Sequence, residues 1–259
     1  MQKNEGVIIQ SVVRAIEIIE CFNGNNEELG ISEIADYMKL SKSTIYGLVN
    51  TLKVAGLLEQ NVQNKKYRLG IKLFELGNLV QSRMDLRDEA RPFCRKLAEK
   101  YETTVHLAIF DEGDVIYIDK LVNYDMQIVS SQVGKRAPMY CTGVGKAILA
   151  YVEDEHIEKY VLSKPLQKIT NNTITTRERL IEEIQIIRSR GYAIDDEEIE
   201  IGLRCIAAPI FNSKGYPIAA VSISASYRKV QDKMIESIAK DVKYYAQKIS
   251  ERMGYYINR

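Results

Sequence analysis

Three runs of apolar residues at helical spacing crowd into the first seventy positions, and they constrain the fold more than any other feature of the chain. Val12, Ala15, Ile16 and Ile19 fall at i, i+3, i+4 and i+7, and Ile31, Ile34, Ala35 and Met38 repeat the spacing. Each run predicts one buried helix face. Asn23-Gly24-Asn25-Asn26 ends the first helix, and Ser32 is available to cap the second. Ser41 caps a third, whose buried stripe is Ile45, Leu48, Val49 and Leu52 and which stops at Gly56. Leu57 to Gln60 and Lys66 to Leu69 then flank a polar stretch, Asn61 to Lys65, which reads as a two-stranded hairpin. Short helices, a tight turn and a hairpin make a winged helix-turn-helix.

Charge agrees with that reading. Residues 1–40 carry Lys3, Arg14 and Lys39 against Glu5, Glu17, Glu20, Glu27, Glu28, Glu33 and Asp36. Residues 41–70 reverse the sign, with Lys42, Lys53, Lys65, Lys66 and Arg68 facing only Glu59. A local basic surface is the footprint of a nucleic-acid partner. The outer face of the third helix presents hydroxyls, amides and a cation. Ser41, Lys42, Ser43, Thr44, Tyr46 and Asn50 are therefore the expected contacts to double-stranded DNA, with Lys65, Lys66 and Arg68 of the wing on phosphate. A winged helix that binds a protein partner is the alternative.

After residue 70 the pattern changes. Leu73, Leu76, Leu79 and Val80 predict a helix over 71–84, and Leu86 to Tyr101 predicts another. Strands are expected at 104–110, 115–121, 127–131, 205–211 and 216–224, the last two around the turn Asn212-Ser213-Lys214-Gly215. Thr175 and Glu178 form a capping box for a helix running to Arg190, and a final amphipathic helix covers 231–253. This is an α+β arrangement with a mainly antiparallel sheet. Within it Ser222 and Ser224 point to one face of an apolar strand. Buried, they need partners: either neighbouring backbone or a bound carboxylate or hydroxy acid.

Other function classes find little support. Thr142-Gly143-Val144-Gly145-Lys146-Ala147 is not a phosphate loop, because Tyr140 and Ala147 stand where that loop needs glycine and serine or threonine. The chain has two histidines, and His106 reads as a packed or hydrogen-bonded strand residue. A dyad of Cys141 or Cys205 with His106 has no local signature, so no catalytic residue is assigned. Cys21, Cys94, Cys141 and Cys205 lie far apart without metal-ligand spacing, and neither a metal nor a cofactor is expected. Hydrophobic content of 46% and charged content of 27% are ordinary globular values. No run approaches membrane-helix length and the N-terminus lacks a secretory core, so a cytoplasmic location without a membrane partner is expected.

Several separated motifs resemble the IclR family of bacterial regulators. They are Arg14-Ala15-Ile16-Glu17-Ile18-Ile19, Ser32-Glu33-Ile34-Ala35, Leu40 to Tyr46, Tyr67-Arg68-Leu69-Gly70, the Thr142–Ala147 segment, Gly191 to Glu198 and Gly202 to Pro209. One departure is Gly47, where the family often carries arginine. The resemblance implies a DNA-binding domain over 1–70, a linker helix over 71–84, and a GAF-like effector-binding and oligomerisation domain over 85–259. It implies no enzyme but a regulator, a repressor by expectation, that acts as a dimer or pair of dimers and responds to a small organic acid. It places Val129, Gly143, Val144, Asp195, Cys205, Ser222 and Ser224 around the effector, with backbone amides near Gly143 and Val144 as anion donors. Asp195 then either bonds a ligand hydroxyl or is protonated. Asp196, Glu197, Glu198 and Glu200 read as a solvated loop.

Overall fold

A computed structural model describes residues 7–23, 26–81, 85–122 and 131–255. It divides into two compact units, Met1–Met84 and Asp85–Arg259.

In the first unit α1 (Gln10–Glu20), α2 (Ile31–Met38) and α3 (Lys42–Val54) precede a hairpin of β1 (Leu58–Gln60) and β2 (Tyr67–Leu69), followed by α4 (Ile71–Gln81). Ile18, Phe22, Ile34, Ile45, Val49, Leu52, Leu58 and Tyr67 form its core. The expected stripe on α1 is corrected: Val12 and Ile16 are 54% and 52% exposed, whereas Ile18 is fully buried. The helix carries two apolar registers. Ala15, Ile18, Ile19 and Phe22 also fall at i, i+3, i+4 and i+7, and this register packs on the core. Period alone cannot choose between two such faces.

Caps fix the helix starts. Ser41 Oγ accepts from the Thr44 amide at 3.3 Å. The start of α2 differs from expectation: Gly30 is its N-cap, Ser32 is already helical, and Glu33 Oε2 accepts from the Gly30 amide at 2.6 Å. The wing is pinned by side chains, since Asn61 and Asn64 both donate to the Glu28 carboxylate. Of the stripe expected on α4, Leu76, Leu79 and Val80 are exposed in this unit.

The second unit is built on a six-stranded antiparallel sheet in the order β5-β4-β3-β8-β7-β6. The strands are β3 (Thr104–Asp111), β4 (Asp114–Leu121), β5 (Arg136–Pro138), β6 (Ala193–Asp196), β7 (Leu203–Phe211) and β8 (Pro217–Ser226). Long helices α5 (Asp85–Tyr101) and α9 (Ile235–Arg252) pack on the sheet and on each other. Short α6 (Gly143–Leu149) packs on β6, β7 and β8, and α8 (Arg177–Arg190) packs on α6. A single turn, α7 (Asp154–His156), runs into a π-helical turn at Ile157–Val161.

Several sequence expectations shift here. The strand expected at 127–131 lies outside the described residues except for Ser131, which is not in a strand. β5 and β6 were not expected as strands. Too short to show an alternation, both are strands because they pair with β4 and β7. The cap of α8 is Thr176, one residue past Thr175, and its hydroxyl accepts from the Arg179 amide. The last helix begins at Ile235 after a 3-10 turn at Asp232–Met234.

Candidate functional site

The first unit presents α3 outward. Ser41, Lys42, Ser43, Thr44, Tyr46, Gly47 and Asn50 are all exposed. Ser41 is also occupied locally: its Oγ lies 2.8 Å from Thr44 Oγ1 and 3.0 Å from Ser43 Oγ. A Cβ on Gly47 would meet nothing within 4 Å, so no steric reason fixes glycine there. The wing cations differ among themselves. Lys66 bridges to Glu33 at 2.9 Å and Arg68 to Glu59 at 3.2 Å. Lys65, at the tip in a left-handed conformation, has no ion pair among the described residues. Both wing pairs are largely exposed and exchange readily for phosphate.

The second unit encloses a cavity of about 250 Å³. Strand register explains its composition. Asp195 on β6, Cys205 on β7 and Ser224 on β8 are direct cross-strand partners. Ala193, Ala207, Ser222 and His106 form the adjacent row. The two rows thus bring together four of the residues expected around the effector, and Val144 joins them in the lining. Gly143 backs the same wall, where its Cβ would stand 3.2 Å from Cys205 Cβ and 3.7 Å from Asp195 Cβ. Thr142 caps α6 there, accepting from the Gly145 amide, and a Cβ on Gly145 would strike the Met139 carbonyl at 2.3 Å. Gly143 therefore lets the α6 backbone approach the sheet, and Gly145 lets it pack against the 3-10 turn at Met139–Cys141. Val129 lies outside the described residues.

Sequence reasoning did not place His106, Tyr117, Ser131, Lys135 or Arg136 in this cavity, yet they line it. His106 Nδ1 and Nε2 lie 3.1 Å from Ser224 Oγ and 2.6 Å from Ser131 Oγ. Burial, then Lys120, pushes its pKa down to about 3, so the ring is neutral and one nitrogen accepts while the other donates. The signal that finds it is the pairing of His106 with Ser222 across β3 and β8, a contact between distant segments of chain.

Asp195 is 1% exposed. Its Oδ1 accepts from the Glu198 amide at 2.8 Å, and Oδ2 completes no hydrogen bond among the described residues, although the Ile199 amide and the Cys205 thiol lie beside the carboxyl. Burial raises its pKa to about 7, with Lys146 opposing and Glu198 adding to the rise. Near neutrality it can therefore offer a hydroxyl as well as accept. Burial also pushes the Cys205 and Cys141 thiols up, so neither is a thiolate nucleophile. Both His106 nitrogens are engaged by serines, which leaves the dyad without a base.

The acidic run is not a solvated loop throughout. Glu198 is 6% exposed and bonds Lys146, itself 1% exposed. Asp196 takes a bidentate bond from Arg204, whose guanidinium also reaches Asp232 and lies over the Tyr227 ring. Glycine and lysine of the Thr142–Ala147 segment thus serve close packing and a buried ion pair beside the cavity.

Residues 11–62 match the IclR helix-turn-helix domain and residues 78–251 match the bacterial transcriptional regulator IclR C-terminal domain. The chain is 35% identical to the HTH-type transcriptional regulator XynR of Escherichia coli, over 96% of this chain and 98% of that protein. It is 30% identical to the transcriptional repressor IclR of the same organism, over 95% and 90% respectively. A crystal structure of an IclR homolog from Microbacterium hydrocarbonoxydans, complexed with 4-hydroxybenzoate, superposes with a TM-score of 0.83. That match has 26% identity and covers 94% of this chain and 99% of the other. Helix-turn-helix, ligand-sized cavity and full-length similarity agree: the chain belongs to the IclR family of bacterial transcriptional regulators, DNA-binding proteins with an effector domain and not enzymes.

Proposed function

We propose that this regulator senses a small organic acid in the cavity of its second unit and answers by changing its hold on an operator. The buried Asp195 Oδ2, unpartnered beside the His106–Ser224 pair, carries the reading. A ligand hydroxyl, or a carboxylate facing protonated Asp195, supplies the missing partner. Ser222, Ser224 and Cys205 then contact the ligand from the sheet, Gly143 and Val144 offer the first amides of α6, and Lys135 favours an anion near the rim, where Arg136 is already held by Asp111 and Asp114. The 4-hydroxybenzoate complex of a relative supports a hydroxylated acid as the ligand class.

On the DNA side, Ser41, Lys42, Ser43, Thr44, Tyr46 and Asn50 meet the major groove, and Lys65, Lys66 and Arg68 the backbone. One winged helix buries little surface, so operator affinity calls for a dimer, or a pair of dimers, across a palindromic site. The domain over 1–70, the linker over 71–84, helical at Ile71–Gln81, and the domain over 85–259 divide the labour between DNA, transmission and ligand. Repression is the expected output, by analogy with the relative named as a repressor. No helix among the described residues is long and apolar enough to cross a membrane, which fits action on DNA in the cytoplasm.

The test is an electrophoretic shift on upstream intergenic DNA at two salt concentrations, with and without keto and hydroxy acids. A salt-sensitive shift that one acid alters is expected. A folded protein that shifts no upstream fragment would overturn the DNA reading, and an unaltered shift across all acids would overturn the effector reading.

A further inference from the structure

A polar cleft of about 420 Å³ is lined by the Lys146–Glu198 pair, α8 and the 171–174 segment, and Asp195 is not part of its lining. We propose that this cleft is a second small-molecule site, for a ligand that carries a carboxylate together with a hydrogen-bond donor.

Its charges are mostly spent on one another. Lys146 bonds Glu198 and lies 3.9 Å from Glu183. Arg190 donates to Glu183 at 2.9 Å and to the Tyr192 carbonyl at 2.6 Å. Asp196 is held by Arg204, and Asn172 Nδ2 donates to the Asp196 carbonyl. Two kinds of group remain. The exposed Arg179 guanidinium and the Asn171 amide have no side-chain partner among the described residues and can receive a carboxylate. Glu198 Oε2 is buried and completes no hydrogen bond among the described residues, with the Asp196 amide beside the same carboxylate. A buried carboxylate oxygen left without a donor costs free energy that a ligand hydroxyl or ammonium recovers. One anion and one donor are thus the complement of the cleft, on a molecule of hydroxy-acid or amino-acid size. The Glu198 amide also bonds Asp195 Oδ1 at 2.8 Å, so occupancy here bears directly on the first cavity.

The experiment titrates the full-length, isotopically labelled protein with L-lactate (hydroxyl donor), L-serine (ammonium donor) and acetate (no donor). It reads backbone amide shifts of residues 171–179 and 198 beside calorimetry. At least one of lactate and serine should saturate these shifts, with acetate about tenfold weaker or worse, the value of one charge-assisted hydrogen bond. Arg179→Ala with Asn171→Ala should weaken that binding about tenfold or more and leave the Ser222→Ala/Ser224→Ala-sensitive titration unchanged. Shifts that no probe moves, acetate as effective as lactate and serine, or titrations indifferent to the Arg179 and Asn171 changes would each overturn this site. Binding abolished only by the Ser222 and Ser224 changes would leave the first cavity standing alone. Binding abolished only by the Arg179 and Asn171 changes would support this site and count against the first.

Discussion

His106 and Ser224 stand 118 positions apart in the chain and meet at 3.1 Å between adjacent strands, where each fixes the other's hydrogen-bonding role. Because the imidazole stays neutral down to about pH 3, Ser224 and Ser131 must present one donor and one acceptor to it. Ser224→Ala removes one of these partners from a buried ring. It should cost roughly 1–3 kcal/mol of stability, read from urea unfolding. Operator affinity should survive at low temperature, while the ligand-induced change in the gel shift is lost. Equal loss of both would make Ser224 a structural residue only.

Asp195 gives the cavity a pH dependence with a definite sign. Its folded pKa, about 7, lies above the ordinary carboxyl value of 3.8, so the folded state binds a proton more tightly than the unfolded state. The destabilising contribution is absent below about pH 4, grows as pH rises, and is complete above pH 7. Asp195→Asn should therefore unfold at higher urea than wild type at pH 8, by at most roughly 4 kcal/mol, with the difference fading toward pH 4. Binding of an anionic acid should also weaken between pH 6 and pH 8 as the carboxyl ionises. His106 stays neutral over that range. Lys146 and Glu198 are the other charged groups facing Asp195. A flat affinity across that range would show that the ligand does not meet Asp195.

The buried pair Lys146–Glu198 predicts a non-additive response. Lys146→Met alone leaves a buried carboxylate uncompensated and should cost about 3–5 kcal/mol. Adding Glu198→Leu should recover most of that loss, because an apolar pair replaces an ion pair in an enclosed site. A double-mutant cycle by urea unfolding reads the coupling. Additive losses would show that the two side chains do not interact in solution.

How much of this was legible in sequence depends on the range of the contact. The cap of Ser41, the burial of Ile45, Val49 and Leu52, and the wing are local, and short periods report them. Sequence cannot choose the buried face of α1, because Val12–Ile16 and Ile18–Phe22 are equally good stripes and only the core decides between them. In the second unit Ser222 and Ser224 were visible as same-face hydroxyls. His106 was not visible as their partner, because β3 and β8 pair across more than a hundred residues. The acidic neighbours of Glu198 make it look solvated in sequence. Its burial follows from Lys146, 52 positions away.

The wing cations should contribute unequally to DNA binding. Lys65 has no ion pair among the described residues to give up for phosphate, whereas Lys66 must first leave Glu33 at 2.9 Å. Lys65→Ala should reduce the salt slope of log affinity by about 1. Glu33→Gln, by releasing Lys66, should strengthen binding at low salt. Fluorescence anisotropy over a salt series measures both. If neither variant changes the slope, the wing lies off the DNA.

Gly47 offers the most direct test of the recognition face. A side chain there would meet nothing within 4 Å of its Cβ, and the position follows the exposed Tyr46 on α3. Glycine inside a helix costs about 1 kcal/mol relative to alanine, so Gly47→Arg should stabilise the first unit while adding one cation to the exposed face of α3. A single new phosphate contact steepens the salt slope by about 1, and affinity for arbitrary duplex should rise. Contact with a guanine would instead raise affinity for some sequences only. Comparing the operator with a scrambled duplex at two salt concentrations separates the two cases. Unchanged affinity for both duplexes, in a variant of higher melting temperature, would show that this face of α3 points away from the DNA.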